Sequence, residues 1–284
     1  MSDAFIEAHR DRRPVRLRCA AVGVSPGGCY GWPRRPPSAR PQRRDASVAA
    51  ITAAQAEVKA RYGGPRPHAE LAARGEPRCV STVAGLMRRH GVAAEAGRKS
   101  RSTTDSDHGR PVAEDVLGRQ FEPAAANRAW AAEITSIPTG EGRLDLAAVE
   151  GLHARRIVGR STAERIASRL VVDALEMAAA RRPPGAGPVA HSDRGSRSAG
   201  AHDQRLPASH GITWSMGRRG DRRDHAPMGS FFASPETELV HDADFTTRSQ
   251  ARAAVFESIA VFDDRVRRHW APGSLPPDEY ERAA

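Results

Sequence analysis

The feature that most constrains the fold is a change of hydrophobic pattern at residues 95–113, a polar stretch rich in glycine, serine and threonine. Before this stretch, apolar residues recur at helical spacing. After it, most apolar runs are short and are bounded by turn residues, which is typical of strands. The stretch itself has no hydrophobic period and is predicted to be a flexible tether. A chain of 284 residues can hold small helical modules and one α/β domain of ordinary size.

Residues 1–45 are predicted to form a helix-turn-helix segment followed by a basic linker. A helical apolar pattern ends at Gly23, and Ser25 and Pro26 suit the N-cap and the first position of a second helix. In DNA-binding proteins of this kind the second helix enters the major groove. Two helices that only pack against a core would show the same pattern. The proline-rich run at 32–44 is predicted to be irregular, either following phosphates or acting as a solvated spacer.

A second helical module is predicted over residues 46–95, a tether over 96–118 and a mixed α/β core over 119–284. Helical spacing in the core indicates long helices at 162–181 and 247–266. Short apolar runs predict five strands, at residues 129–137, 143–149, 156–160, 188–193 and 212–216.

The net charge of +10 comes almost wholly from arginine, whose planar guanidinium group binds phosphate through two parallel hydrogen bonds. This charge favours a nucleic-acid partner, and a GC-rich genome, which also raises arginine content, is the alternative. The three cysteines lack Cys-x-x-Cys spacing, so neither a disulfide framework nor a zinc site is predicted. We find no membrane-spanning run and no secretion signal. We therefore expect a soluble, cytoplasmic, nucleoid-associated protein without a membrane partner.

The stretch His-Ser-Asp-Arg-Gly-Ser-Arg at residues 191–197 follows a short apolar run. A carboxylate such as Asp193 at the end of a buried strand, beside guanidinium groups, suits a cation that must meet a phosphate. A polar turn that closes a strand is the alternative. This stretch and several other phrases, in the same order, resemble the orfB-type insertion-sequence transposases with a retroviral-integrase-like core. The other phrases lie at residues 62–66, 127–130, 134–139, 215–220, 230–232 and 237–240.

The resemblance implies a ribonuclease-H-like integrase core, with a mixed five-stranded sheet and helices, preceded by small all-α helix-turn-helix modules. It also implies Mg²⁺-dependent cleavage and transfer of DNA strands, with metal ions held by Asp, Asp and Glu. On this sequence the first Asp falls on Glu133, the second on Asp193, and the third position on Gly229, which has no side chain. Pro227 and Pro235 argue against a regular helix around that third position.

Because one carboxylate is lengthened and one is missing, our leading hypothesis is a transposase-type DNA-binding protein with impaired catalysis and no required cofactor. One alternative is a weakly active transposase in which Glu133 and Asp193 still hold Mg²⁺ or Mn²⁺. Another is a non-catalytic DNA-binding regulator. By resemblance, the partners are DNA of the element ends and target, a second copy of the chain, and a protein encoded in an upstream frame. His153, His191 and His225 are expected to be hydrogen-bonded structural residues.

The residues expected to face DNA are basic side chains on the helical modules and around Asp193, together with one helix-capping serine. They are Arg16, Arg18, Ser25, Arg34, Arg35, Arg66, Arg88, Arg89, Arg194, Arg197, Arg218, Arg219, Arg222 and Arg223. For the arginines around Asp193, an ordinary solvated loop is the alternative.

Overall fold

The N-terminal part of the chain forms a short helical segment. The computed structural model describes residues 2–9, 14–34, 39–94, 112–165, 169–182, 187–193, 210–218, 221–235 and 244–284. Its first helices are α1 (Ser2–Ala8), α2 (Val15–Val22) and α3 (Pro26–Gly31). Gly23 ends α2 in the left-handed conformation, with φ at 67°, and the Ser25 hydroxyl caps α3 by accepting from the Gly28 N–H. The predicted order of helix, glycine turn and capped helix is confirmed.

The second helical module has its own apolar core. It consists of α4 (Ala39–Glu57), α5 (Pro65–Ala73) and α6 (Val80–Arg89). The prediction of an irregular run up to residue 44 is wrong for its second half, because α4 begins at Ala39. Pro41 lies in the first turn of α4, where backbone N–H groups have no acceptor within the helix. The proline therefore removes no hydrogen bond and does not break the helix.

The core contains a five-stranded mixed sheet with the strand order β3-β2-β1-β4-β5. β2 pairs antiparallel with both β1 and β3, while β4 runs parallel to both β1 and β5. The strands are β1 (Ala129–Ile137), β2 (Leu144–Gly151), β3 (Arg156–Ala163), β4 (Val189–Ser192) and β5 (Thr213–Met216). All five predicted strands are confirmed, as is the mixed five-stranded sheet that the resemblance implied.

Helices cover both faces of this sheet. One face packs against α7 (Arg169–Arg181), and the other packs against α8 (Ala226–Pro235) and α9 (Arg248–Phe256). A π-helical stretch, Glu257–Asp263, continues α9, and α10 (Pro277–Ala283) lies near the end of the chain. We predicted that the first long helix would begin at residue 162, which is wrong, because β3 continues to Ala163 by pairing with β2.

Strand β3 and helix α7 approach each other closely at Gly159. A Cβ atom placed on Gly159 would lie 2.0 Å from the Ala174 carbonyl oxygen and 2.9 Å from the Ala178 Cβ. No side chain fits at Gly159 unless the strand and the helix move apart. The absence of a side chain at this position therefore sets the distance between α7 and the sheet.

Residues just before β1 lie along β5, which is at the edge of the sheet. The N–H groups of Val116 and Leu117 donate to the Ser215 hydroxyl at 3.0 and 3.2 Å, and the Met216 N–H donates to the Glu114 carbonyl at 3.4 Å. The last part of the predicted tether, from residue 112, is thus packed against the core, and residues 95–111 lie outside the described part of the chain.

The C-terminal segment joins the second helical module to the core. The Tyr62 hydroxyl donates to the Val266 carbonyl at 3.0 Å, and Arg66 Nε donates to the Arg268 carbonyl at 3.0 Å. Arg268 Nε in turn donates to the Glu70 carboxylate at 2.7 Å. Within the described residues, no helix combines the length and the apolar surface needed to cross a membrane.

Candidate active site

Strands β1 and β4 bring the first two expected acidic positions side by side. Ala132 is in register with Ser192 in the parallel pair, so Glu133 and Asp193 follow at the next step along each strand. Neighbouring strands lie about 4.8 Å apart, and side chains at the same step share a face of the sheet. Ala131, two residues before Glu133, packs in the core on the α8 side. Both carboxylates are therefore placed on the face that α8 covers, and each is half-buried.

Helix α8 carries the third expected position. Our expectation that Pro227 and Pro235 would prevent a helix here is wrong, because they are the second and the last residues of a ten-residue helix. A proline in the first turn costs no hydrogen bond, and one at the last residue removes a single hydrogen bond without interrupting the turns before it. Phe231 and Phe232 anchor α8 to the sheet, whereas Gly229 is exposed and a Cβ atom built on it meets nothing within 4 Å.

The acidic residues that precede α8 are occupied by arginines. Asp224 is buried, and it accepts hydrogen bonds from Arg119 at 2.6 Å and from Arg218 at 2.9 Å. These bonds, from Arg218 above all, hold the pKa of Asp224 far below its usual range. Asp221 accepts from the backbone N–H of Arg223 and also contacts Arg119, and its pKa is lowered, chiefly by that backbone hydrogen bond. Neither carboxylate stands in for a side chain at position 229.

Two histidines lie beside Asp193. The rings of His191 and His225 stack with their centroids 5.3 Å apart, and His191 Nδ1 lies 3.0 Å from the Ser215 hydroxyl. Burial, and next the neighbouring His225, lower the pKa of His191 to about 4. Burial also lowers the pKa of His225, although Asp193 acts in the opposite direction. Both rings are therefore neutral at physiological pH, and the predicted structural hydrogen bond of His191 is confirmed.

The His225 ring also fills the space above Gly217. A Cβ atom on Gly217 would lie 2.4 Å from His225 Nε2, so a side chain at this position would require the His225 ring to move. The third histidine, His153, lies outside this cluster, and its Nδ1 is 2.9 Å from the Pro123 carbonyl oxygen, which confirms a structural hydrogen bond. In the part of the chain that the structure describes, no group of three or more His, Cys, Asp or Glu side chains is arranged to hold a metal ion.

The residues that were expected to face DNA divide into three groups. Those on the surface are Arg16, Ser25, Arg88, Arg89, Arg218 and Arg223. Those that lie outside the described residues, or whose side chains do, are Arg34, Arg35, Arg194, Arg197, Arg219 and Arg222. The remaining two, Arg18 and Arg66, donate hydrogen bonds to backbone carbonyl groups of the protein itself.

The placement of Arg18 requires a correction. Arg18 is 9% exposed and its guanidinium group donates to the Ile6 carbonyl at 2.5 Å, so it ties α2 to α1 and does not lie on a DNA-facing surface. Arg66 is half-buried, and its Nε is bound to the Arg268 carbonyl. Sequence reasoning also missed Arg119, which holds both acidic residues before α8. About a hundred residues separate Arg119 from these partners, and no local pattern marks it.

Comparison with known proteins identifies the family. The family described as "Integrase core domain" matches residues 123–222. The transposase InsF of insertion sequence IS3A from Escherichia coli K12 is 37% identical over 283 residues, covering 99% of this chain and 98% of InsF. A 31 kDa protein of insertion element IS600 from Shigella sonnei is 35% identical over 260 residues, covering 91% of this chain and 95% of that protein.

Among solved structures, the catalytic core domain of HTLV-2 integrase in complex with magnesium has a TM-score of 0.43 and 11% sequence identity, over 56% of this chain and 99% of that domain. The identity to the Escherichia coli and Shigella sonnei proteins extends over more than nine-tenths of this chain and of each relative. The chain belongs to the IS3 family of insertion-sequence transposases and carries their integrase core domain.

Proposed function

We propose that this transposase binds the DNA ends of its insertion sequence but does not cleave or join DNA strands. The observation that carries the proposal is Gly229, which is exposed on α8 at the third acidic position and offers no oxygen ligand. The described carboxylates nearest before it in the chain, Asp221 and Asp224, are bound by arginines. The acid set that this chemistry uses is therefore incomplete.

The carboxylate oxygens at this site are sufficient for one metal ion but not for two. Mg²⁺ takes oxygen ligands and is commonly held by one or two carboxylates together with substrate phosphates. Glu133 and Asp193, each one residue beyond the paired positions Ala132 and Ser192, would hold one such ion. A pair of ions at this kind of site activates the attacking oxygen and stabilises the leaving oxygen. The second ion would lack the carboxylate that position 229 provides elsewhere in the family.

Glu133 weakens the site further. Its side chain is one methylene longer than that of an aspartate, which moves the carboxylate outward by roughly 1 Å. A misplacement of this size costs about 100-fold in rate where positioning supplies much of the catalysis. The missing carboxylate at Gly229 and the longer side chain at Glu133 affect the same metal site, so their effects on catalysis reinforce each other.

Charge and exposure support DNA binding. The net charge is +10, and Arg16, Arg88 and Arg89 lie on the surface of the two helical modules. Each arginine that neutralises a phosphate steepens the salt dependence of binding by about one unit of logarithmic slope. The capped helix α3 follows α2 after a glycine turn, which is the order of a helix-turn-helix whose second helix enters the major groove.

The test is a strand-transfer assay on oligonucleotides that carry the ends of the insertion sequence, with Mg²⁺ or Mn²⁺. We expect the natural chain to shift these oligonucleotides in a gel and to yield no more product than Asp193→Ala does. The double variant Glu133→Asp, Gly229→Glu is expected to yield product. Product from the natural chain that is lost in Asp193→Ala would defeat the proposal. It would support instead the weakly active enzyme, which is favoured by the positions of Glu133 and Asp193 directly after the paired residues Ala132 and Ser192.

A further inference from the structure

A cavity of about 280 Å³ lies on the α8 face of the core. Its wall includes Glu150 of β2 and Ser230, the residue that follows Gly229 on α8. The volume is near the lower end of the roughly 300–1,000 Å³ that small-molecule sites span, so it suits a single flat ring system. Nothing in the proposed DNA-binding function accounts for this cavity.

Glu150 is the unexplained group in the cavity wall. The side chain is 2% exposed, and its Oε2 atom has no hydrogen-bond partner among the described residues. Burying a carboxylate without such partners is unfavourable, so the protein gains nothing in stability from it. The other carboxylate in the wall, Asp263, is already paired with Arg267 at 2.7 Å and lies 3.3 Å from His269. Among the described residues, Glu150 is therefore the carboxylate of the wall that has no ion-pair partner.

Aromatic and basic side chains complete the wall. Trp270 is 80% exposed at the cavity, and Phe121 and Phe231 supply further aromatic surface. Arg66 and Arg155 also line it. A nucleotide has the matching parts, because its base stacks on aromatic rings, its phosphate binds guanidinium groups, and its edge can donate to a carboxylate. The cavity thus combines the three contacts that a nucleotide requires.

We propose that this cavity binds one unstacked guanine nucleotide, with the base edge on Glu150, the base plane against Trp270 and the phosphate near Arg66 and Arg155. Guanine is the base whose Watson–Crick edge carries two neighbouring N–H donors, from the ring nitrogen and the exocyclic amine. An ionised carboxylate accepts both. The inference rests on the proposed DNA binding, since the nucleotide would belong to a DNA strand lying over α8. Extrusion of a base from a duplex is cheapest at mismatched or single-stranded positions, such as frayed ends.

The test uses free nucleotides, so that it does not depend on DNA binding. The full chain is dialysed to equilibrium against each of the four deoxynucleoside 5′-monophosphates at pH 8, with inorganic phosphate as competitor. We expect the guanine nucleotide to bind most tightly and phosphate alone not to displace it. Trp270→Ala should weaken all four by about 10-fold, since stacking is indifferent to the base. Phe256→Ala, which removes an exposed aromatic ring away from the cavity, is the matched control and should change nothing.

The variant Glu150→Gln gives the sharpest outcome. The glutamine amide presents one acceptor and one donor, which complements the acceptor and the donor on the edge of adenine. Against guanine, the amide N–H would face one of the two N–H donors of the base. We expect at least about a 10-fold loss for guanine and a change of preference to adenine, because a mispaired buried polar group is strongly rejected. Absence of saturable binding up to about 10 mM, or an unchanged preference in Glu150→Gln, would overturn the inference.

The two proposals fail separately. A chain that binds element-end DNA but no free nucleotide refutes the cavity alone. A chain that binds the guanine nucleotide but not element-end DNA refutes the proposed function and leaves the cavity assignment in place.

Discussion

The buried Glu150 carboxyl predicts an unusual dependence of stability on pH. Burial raises its pKa from 4.5 to about 7, assisted by Asp263 and opposed by Arg155. Below pH 4.5 the group is protonated in both the folded and the unfolded chain, so it imposes no penalty on folding. As pH rises through 7, the folded chain must hold a charge that the unfolded chain exposes to water. The free energy of unfolding is therefore higher at low pH, where Glu150 imposes no penalty, and falls as pH rises.

The magnitude follows from the pKa. A change from 4.5 to about 7 corresponds to about 3 kcal/mol of lost folding free energy at pH 8, and to less than about 1 kcal/mol at pH 5. Glu150→Gln removes the titration and should be more stable than the natural chain by these amounts. The assay is urea unfolding at both pH values, followed by the fluorescence of Trp130 and Trp214, which are buried in the core.

A second buried acid provides the control. Burial raises the pKa of Asp264 to about 7 as well, and its carboxylate accepts from the Ile157 N–H at 3.0 Å. Its contribution is common to the natural chain and to Glu150→Gln, so it cancels in their difference. Asp264→Asn should gain less at pH 8, because it weakens that hydrogen bond. An equal stability difference between Glu150→Gln and the natural chain at pH 5 and pH 8 would refute the raised pKa of Glu150.

Three further variants test other parts of the structure. Gly159→Ala should lose about 1–3 kcal/mol of folding free energy in urea unfolding, because its Cβ would lie 2.0 Å from the Ala174 oxygen; a neutral result would mean that α7 is not packed this closely. Gly229→Glu should unfold at an equal or higher temperature than the natural chain, since an exposed helical glycine costs up to about 1 kcal/mol; a lower melting temperature would contradict its open surroundings. Asp224→Asn should lose about 1.5–3 kcal/mol in the same unfolding assay, because it weakens the charge-assisted hydrogen bonds that this buried carboxylate accepts from Arg119 and from the half-exposed Arg218; a loss below about 0.5 kcal/mol would show that these bonds add little to stability.

Local patterns were sufficient to locate the strands. β1 spans Ala129–Ile137 as predicted, because apolar residues fill the run and turn residues follow it. Local patterns failed where proline was treated as a breaker without regard to its position. Pro41 and Pro227 lie in the first turn of their helices, where the missing N–H has no cost, and Pro235 is the last residue of α8, where it removes one hydrogen bond without interrupting the turns before it. Whether a proline interrupts a helix depends on its position within that helix, and this position is known only once the ends of the helix are known.

The site was only partly predictable for a related reason. Glu133 and Asp193 could be named from local phrases, and the parallel register that brings them together follows from the fold. The cavity at Glu150 could not be predicted, because Glu150 and Trp270 are distant in sequence and line the same cavity only in the folded chain. The sequence shows only a glutamate at the end of an apolar run, and nothing in it indicates that the carboxylate is buried without hydrogen-bond partners. Such contacts between remote residues are set by packing and not by any local pattern.

The backbone contacts beside β5 have a consequence for solubility. Residues 114–117 occupy part of the strand's outer side, through the Glu114 carbonyl and the N–H groups bound to Ser215. An uncovered edge strand offers its free N–H and C=O groups to other chains. A core fragment cut at residue 119, where the domain boundary was predicted, would expose that edge and tend to aggregate. One beginning at residue 112 would keep the strand covered and remain monodisperse at the same concentration.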